Sequence, residues 1–133
     1  MERAKESKEI LVSTENKVGV LHNIARVLSA AGINILAISG YIIETQAFLR
    51  LVVSDYEGAY QILQKENYRI ESKNVIIVEL ENKVGVLENI TGKIEESGID
   101  LKYIYGSVSA DVAKTIIVIS TSNNNAVLNL FNN

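Results

Sequence analysis

The chain has no cysteine, which removes disulfides, thiolate metal sites and a cysteine nucleophile together and fits a reducing compartment. It has one histidine, His22, so a nucleophile–base pair has a single candidate base, with neither a cysteine nor a Gly-x-Ser-x-Gly elbow for it to serve. No run approaches the roughly 20 apolar residues of a membrane helix, and the charged start, Met1 to Lys8, lacks the apolar stretch of a signal peptide. Positive charge is not in excess. With Lys+Arg 13 against Asp+Glu 16 and a net charge of -3, there is no electrostatic reason to seek a nucleic acid or an anionic membrane. A Walker loop and a dinucleotide fingerprint are missing, and the adjacent Glu95 and Glu96 would point different ways on a helix rather than share a metal. The expectation is a cytoplasmic protein that is not an enzyme and carries no metal and no cofactor.

What the chain does contain is a repeat. Glu15-Asn16-Lys17-Val18-Gly19-Val20-Leu21 returns as Glu81-Asn82-Lys83-Val84-Gly85-Val86-Leu87. The match continues: Asn23 answers Asn89, Ile24 answers Ile90, Gly32-Ile33-Asn34 answers Gly98-Ile99-Asp100, and Ile38 and Gly40 answer Ile104 and Gly106. Two copies of one small module fill the chain. A module of about 60 residues is marginal alone, so the two are expected to lean on each other.

Both halves read in the same order. In the first, Glu9 to Thr14 is an apolar, β-branched strand, and Gly19 to Ala31 carries Leu21, Ile24, Leu28 and Ala31 at helical spacing before Gly32 stops it. Strands over 33–44 and 46–54 follow, then a helix over 55–64 and a short fourth strand at Tyr68 to Glu71. The second half repeats strand (75–80), helix (85–97) and strands (99–107 and 112–120), then a weak helix from Asn124 to Phe131, and ends without a fourth strand. The modules are therefore expected at 1–73 and 74–133. Either the modules pair side by side between chains, or Tyr68 to Glu71 turns at Ser72-Lys73-Asn74 and completes the second sheet by strand exchange, which is the preferred expectation. The order βαββαβ, with helices on one face of an antiparallel sheet, is the ferredoxin-like α+β sandwich. RNA-binding sheets share that fold, but the aliphatic Ile76-Ile77-Val78 and Ile116-Ile117-Val118 replace the basic and aromatic residues they need.

The Glu-Asn-Lys-Val-Gly-Val-Leu loop followed after its helix by Gly-Ile-Asn-Ile or Gly-Ile-Asp-Leu, together with Phe-Leu-Arg-Leu-Val-Val-Ser-Asp inside 42–60, resembles the ACT domain, a regulatory amino-acid-binding module. The resemblance covers both copies and is strongest to small stand-alone tandem ACT proteins with no catalytic domain. Val18 and Val84 stand where the family often has proline.

The loop has chemistry of its own. Gly19 and Gly85 allow close backbone approach and open helices whose first N–H groups lack intrahelical acceptors. A free carboxylate fits there, helped by a helix dipole contributing about 0.3–1 kcal/mol. Asn16 and Asn82 offer both donor and acceptor to a zwitterion, although either could instead cap its helix or shape the turn. Resemblance to ligand-binding ACT pairs implies that the position after Gly-Ile of a neighbouring module completes each site. The candidate ligand-binding residues are thus Asn16, Gly19, Val20, Leu21 and Asn34 in one copy and Asn82, Gly85, Val86, Leu87 and Asp100 in the other. A pseudo-twofold pairing would set the Asn16 loop opposite Asp100 and the Asn82 loop opposite Asn34. The second combination is expected to be better filled, because Asn34 keeps the family's residue. His22 is read as a solvated surface residue, Tyr103 and Tyr105 as packing residues on one strand face, and Asn123 to Asn125 as a turn or frayed cap.

Two functions follow. The first is a sensor that binds a small L-amino acid between modules and modulates a partner protein. The alternative is a ligand-free assembly module, such as a regulatory subunit of an amino-acid biosynthetic enzyme or an acyl-CoA-type ligase. Strands 75–80 and 112–119 are apolar at successive positions, so both sheet faces should be covered; a homodimer or higher oligomer is expected to cover the second.

Overall fold

In the computed structural model the described residues are 3–106 and 113–132. They form β1 (Arg3–Glu15), α1 (Val20–Ala30), β2 (Ile35–Ile43), β3 (Gln46–Val53), α2 (Tyr56–Lys65), β4 (Arg69–Glu81), α3 (Val86–Glu96), β5 (Leu101–Gly106), β6 (Lys114–Thr121) and α4 (Asn124–Asn132). Val112, the first residue of one expected strand, and Ser107, the last of another, lie outside the described residues. The chain divides into two compact bodies, one of Lys8–Lys73 and the other of Asn74–Asn133 with Met1–Ser7.

In the first body the strands run in the order β2-β3-β1-β4, with β3 antiparallel to both β1 and β2. Alternation puts Ile10, Val12, Leu49, Leu51 and Val53 on one face of this sheet, where they pack with Ile24 and Leu28 of α1 and Ala59 and Leu63 of α2. The helix ends are specified locally. α1 stops in a Schellman turn: Gly32, at φ 73, donates its N–H to Ser29 O, and Ile33 donates to Leu28 O at 2.9 Å. The second copy ends the same way, with Gly98 at φ 69 bonded to Glu95 O and Ile99 to Ile94 O. Gly-Ile in both copies is therefore a helix stop plus an apolar contact, and Ile33 goes into the core. α2 starts at Asp55, whose carboxylate accepts the Gly58 N–H at 3.1 Å.

The second body has the order β1-β4-β6-β5, with β6 antiparallel to β4 and β5. Ile76, Val78, Leu80, Ile117 and Ile119 pack with Val86, Ile90 and Ile94 of α3 and Val127 of α4. Each body is a ferredoxin-like α+β unit with helices on one sheet face. Asn123 caps α4 by accepting the Ala126 N–H at 3.1 Å.

The fourth strands differ from expectation. The turn at Ser72-Lys73-Asn74 does not form, because β4 runs unbroken from Arg69 to Glu81. Residues up to Lys73 stay with the first body, where Tyr68 and Ile70 pack on its core. The second body takes its fourth strand from the N-terminal residues of β1, and Ala4 is buried among Ile76, Val78 and Ile119. Sequence reasoning missed that strand because Ala4 is its one apolar residue among Arg3, Lys5 and Glu6.

Residues on the second faces of β4 and β6 are buried as well. Val75, Ile77 and Val118 alternate with the residues that meet the helices, yet they are 0%, 6% and 0% exposed in the single chain. Their burial requires no second copy.

Gly40 and Gly106 are equivalent by sequence but not by space. A Cβ on Gly40 would meet the flexible Leu49 Cδ2 at 2.8 Å, whereas one on Gly106 would meet Ile117 Cγ2 at 2.8 Å and the Ile116 carbonyl at 2.9 Å. Backbone cannot swing aside. Gly106→Ala is expected to cost about 1–3 kcal/mol and Gly40→Ala less than about 1 kcal/mol, read by denaturant unfolding of each variant. Equal costs would refute the distinction.

Candidate functional site

The two repeated loops are built alike. β1 ends at Glu15, and Asn16 donates its backbone N–H to Thr45 O at 2.8 Å, tying the loop to the β2–β3 turn. Asn82 does the same to Ala113 O at 2.9 Å. Gly19 then takes φ 91, ψ 2 and Gly85 takes φ 92, ψ -9, a left-handed conformation that other residues adopt only with strain. A Cβ at either glycine would meet nothing within 4 Å. The dihedral, rather than crowding, is what demands glycine there.

The N-cap residues of α1 and α3 are Gly19 and Gly85, which have no side chain to cap with. At α1 the N–H groups of Val20, Leu21 and His22 precede the first intrahelical bond, which Asn23 makes to Gly19 O at 2.9 Å. Leu21 and Leu87 are half exposed, and Val18 and Val84 are fully exposed.

In the first body this helix start borders a groove of about 510 Å³. Asn16, Lys17, Gly19, Val20, Leu21 and His22 form one side. Gly40, Tyr41, Ile42, Ala47, Phe48 and Leu49, from β2 and β3, form the other. Tyr41 and Phe48 stack with ring centroids 5.5 Å apart, and the Tyr41 hydroxyl accepts from Arg50 Nε at 3.2 Å. The groove has no carboxylate in its lining, and the Lys17 ammonium pairs with the neighbouring Glu15 carboxylate at 3.5 Å. Sequence reasoning found Asn16, Gly19, Val20 and Leu21. It missed the β2–β3 floor, because a floor two strands away leaves no local pattern, and it left His22 as an unassigned surface residue.

Asn34 and Asp100 stand immediately before β2 and β5. The Asn34 N–H donates to Ser54 Oγ at 2.9 Å while Asn34 O accepts from Ser54 N–H. Asp100 and Ser122 make the same pair of bonds, at 3.0 and 2.9 Å. These serines went unnoticed because seven residues separate β5 from β6 against two between β2 and β3, which breaks the common offset of the repeat.

Asn34 and Asn16 do not meet within one body. Asn16 is bonded at Thr45, ahead of β3, and Asn34 at Ser54, just past its other end; the eight residues of β3 stand between these anchors, about 30 Å of strand. Asn82 and Asp100 stand likewise at Ala113 and Ser122, at opposite ends of β6. Around Asp100 lies a separate depression of about 260 Å³, lined by Thr91, Ile94, Glu95, Gly98, Ile99 and Leu101. It holds two carboxylates where the groove in the first body holds none. Tyr103 and Tyr105 stack on β5 with centroids 6.4 Å apart.

Among the described residues no three His, Cys, Asp or Glu side chains gather as a metal site, and no helix is long and apolar enough to cross a membrane.

The family model of an ACT domain pair matches residues 7–131. No curated protein matches the chain. Among solved structures it is similar to protein BT0572 from Bacteroides thetaiotaomicron, at 25% identity and TM-score 0.88, covering 97% of this chain and 88% of that one. It is also similar to the ligand-free regulatory subunit of aspartate kinase from Thermus thermophilus, at 12% identity and TM-score 0.71, covering 98% and 94%. The aspartokinase alpha and beta subunits align at 21% identity and TM-score 0.65, covering 96% and 93%.

Proposed function

Because the chain belongs to the ACT domain pair family, we propose that it is a regulatory protein that binds a small L-amino acid between ACT modules and thereby modulates a partner protein. The observation that carries this reading is the uncapped start of α1 beside its groove. Its N–H groups are free to receive a carboxylate, and the adjoining Asn16 offers both donor and acceptor. Because Asn16 and Asn34 lie at opposite ends of β3, a site using both kinds of residue must draw on two modules. The candidate residues of the second copy, Asn82, Gly85, Val86, Leu87 and Asp100, enter on the same argument. The partner in this proposal is a metabolic enzyme, in keeping with the aspartate kinase regulatory subunit that shares the fold. The protein itself is taken to be cytoplasmic and non-enzymatic, with no cofactor.

Thermal unfolding of the full chain with each of the twenty amino acids tests this. A ligand at 100-fold over its Kd stabilises by about 2.7 kcal/mol, so one amino acid or a small group should raise the melting temperature. Asn16→Ala should weaken that ligand about three- to tenfold, the loss of one hydrogen bond, while changing unliganded stability by less than about 0.5 kcal/mol. If none of the twenty shifts the transition, the sensing reading fails.

The alternative, a ligand-free assembly module, is favoured by one observation. β2 is an end strand of nine uncharged residues, with Leu36, Ile38, Tyr41, Ile42 and Ile43 exposed. Such an edge ordinarily carries a charge or a proline, or is covered. A homodimer in which β2 is covered by a second copy is part of both readings, and light scattering at tens of micromolar reports it.

A further inference from the structure

The two fourth strands fill equivalent places on unequal anchors. Carried back past the first strand, the repeat sets Glu2 against Tyr68, Arg3 against Arg69 and Ala4 against Ile70. In the first body Tyr68 and Ile70 both pack on the core, and the Tyr68 hydroxyl accepts from Asn23 Nδ2 of α1 at 2.7 Å. In the second body Ala4 enters the core, whereas Arg3, Lys5 and Glu6 are exposed and Ser7 is half-buried. We infer that residues 3–7 form a releasable strap, which leaves β4 and returns while the rest of the second body stays folded, and that the fourth strand of the first body opens far less often.

Burial sets the difference. Apolar stabilisation follows the area removed from water, and an alanine side chain brings a single carbon where isoleucine brings a branched chain. The backbone hydrogen bonds do not separate the two strands, because in both bodies they replace bonds to water for a small net gain. Exposed charges on a fourth strand discourage pairing with other chains without fixing the strand to its own sheet.

Release changes what the second body presents. The backbone edge of β4 opens beside the cluster of Ile76, Val78 and Ile119 in which Ala4 sits. Elements that move in regulation are drawn from such low-stability segments, and a ligand or partner with different affinity for the closed and open edge shifts the strap's equilibrium. The device belongs to the second body, because Ile70 and Tyr68 hold the equivalent strand of the first.

Amide hydrogen exchange of the full chain, resolved by residue and repeated in low urea, tests the strap. The slowest amide of residues 3–7 is expected to exchange about tenfold faster, or more, than the slowest of residues 69–73. Its rate should stay nearly constant in low urea, because a local opening exposes little surface, whereas residues 76–80 should speed up as urea is added. Ile70→Ala should bring residues 69–73 to within about threefold of the strap's rate, with its urea transition as the folding control. Equal rates in the two segments of the unaltered chain would overturn the inference, as would a strap whose exchange follows urea as steeply as residues 76–80. An unchanged rate at residues 69–73 in Ile70→Ala would overturn burial as the cause, and should that variant not fold, the two comparisons within the unaltered chain decide.

Discussion

Replacing Arg50 by alanine should destabilise the protein by roughly 3–5 kcal/mol, the range for breaking a buried ion pair from one side. Glu9 is 0% exposed, and its Oε1 accepts from Arg50 Nη1 at 2.8 Å. The Arg50 side chain is itself only 15% exposed, and its guanidinium donates through Nε to the Tyr41 hydroxyl at 3.2 Å and lies 6.0 Å from that ring. Truncation would leave a carboxylate in the interior without its guanidinium, which costs far more than the pair gains over an apolar substitute. The double variant Glu9→Gln/Arg50→Met, which removes both charges and keeps the volume, should therefore recover most of the loss. Urea unfolding of both variants reads the difference. A cost below about 1 kcal/mol for Arg50→Ala would mean that Glu9 is held adequately by its other contacts.

Ala4→Asp should cost about 3 kcal/mol, comparable to other buried and unpaired charges, and the loss should fall on the second body. Ala4 is 7% exposed and packs with Ile76, Val78 and Ile119, whereas the neighbouring Lys5 is exposed. Lys5→Asp is the control and should change stability by less than about 0.5 kcal/mol. Removing residues 1–7 should act in the same direction. Amide exchange would then speed up at Ile76–Leu80 and Ile117–Ile119 and less at Leu49–Val53. Uniform loss over both bodies would show that they unfold as one unit, and no loss would show that the first residues of β1 are dispensable.

How the fourth strands are shared was not legible in the sequence. Tyr68 to Glu71 and Val75 to Leu80 read as separate strands because Ser72-Lys73-Asn74 interrupts the apolar pattern, but a polar stretch does not turn a strand whose hydrogen bonds continue on a neighbour. The start of the chain read as a charged tail because one alanine in five residues makes no period. The members of a repeated motif can also end up far apart. Asn16 and Asn34 belong to one module's signature, yet a strand's length separates them, and the groove beside Asn16 is floored by Gly40, Ala47 and Leu49, which carry no signal of binding.

What the residues determined alone was everything decided over a few positions. The repeated phrase gave two modules, apolar spacing gave the order βαββαβ, and Gly32-Ile33 and Gly98-Ile99 stopped their helices, because left-handed glycine and one apolar contact are local requirements. Gly19 and Gly85 marked the two loops for the same reason. The tertiary structure alone decided which strand fills each sheet's fourth place, which charges are buried as a pair, and that Val75, Ile77 and Val118 are already buried. Those outcomes depend on partners far away along the chain, chosen by the burial that each pairing achieves, and burial is a property of the assembled molecule rather than of any segment of it.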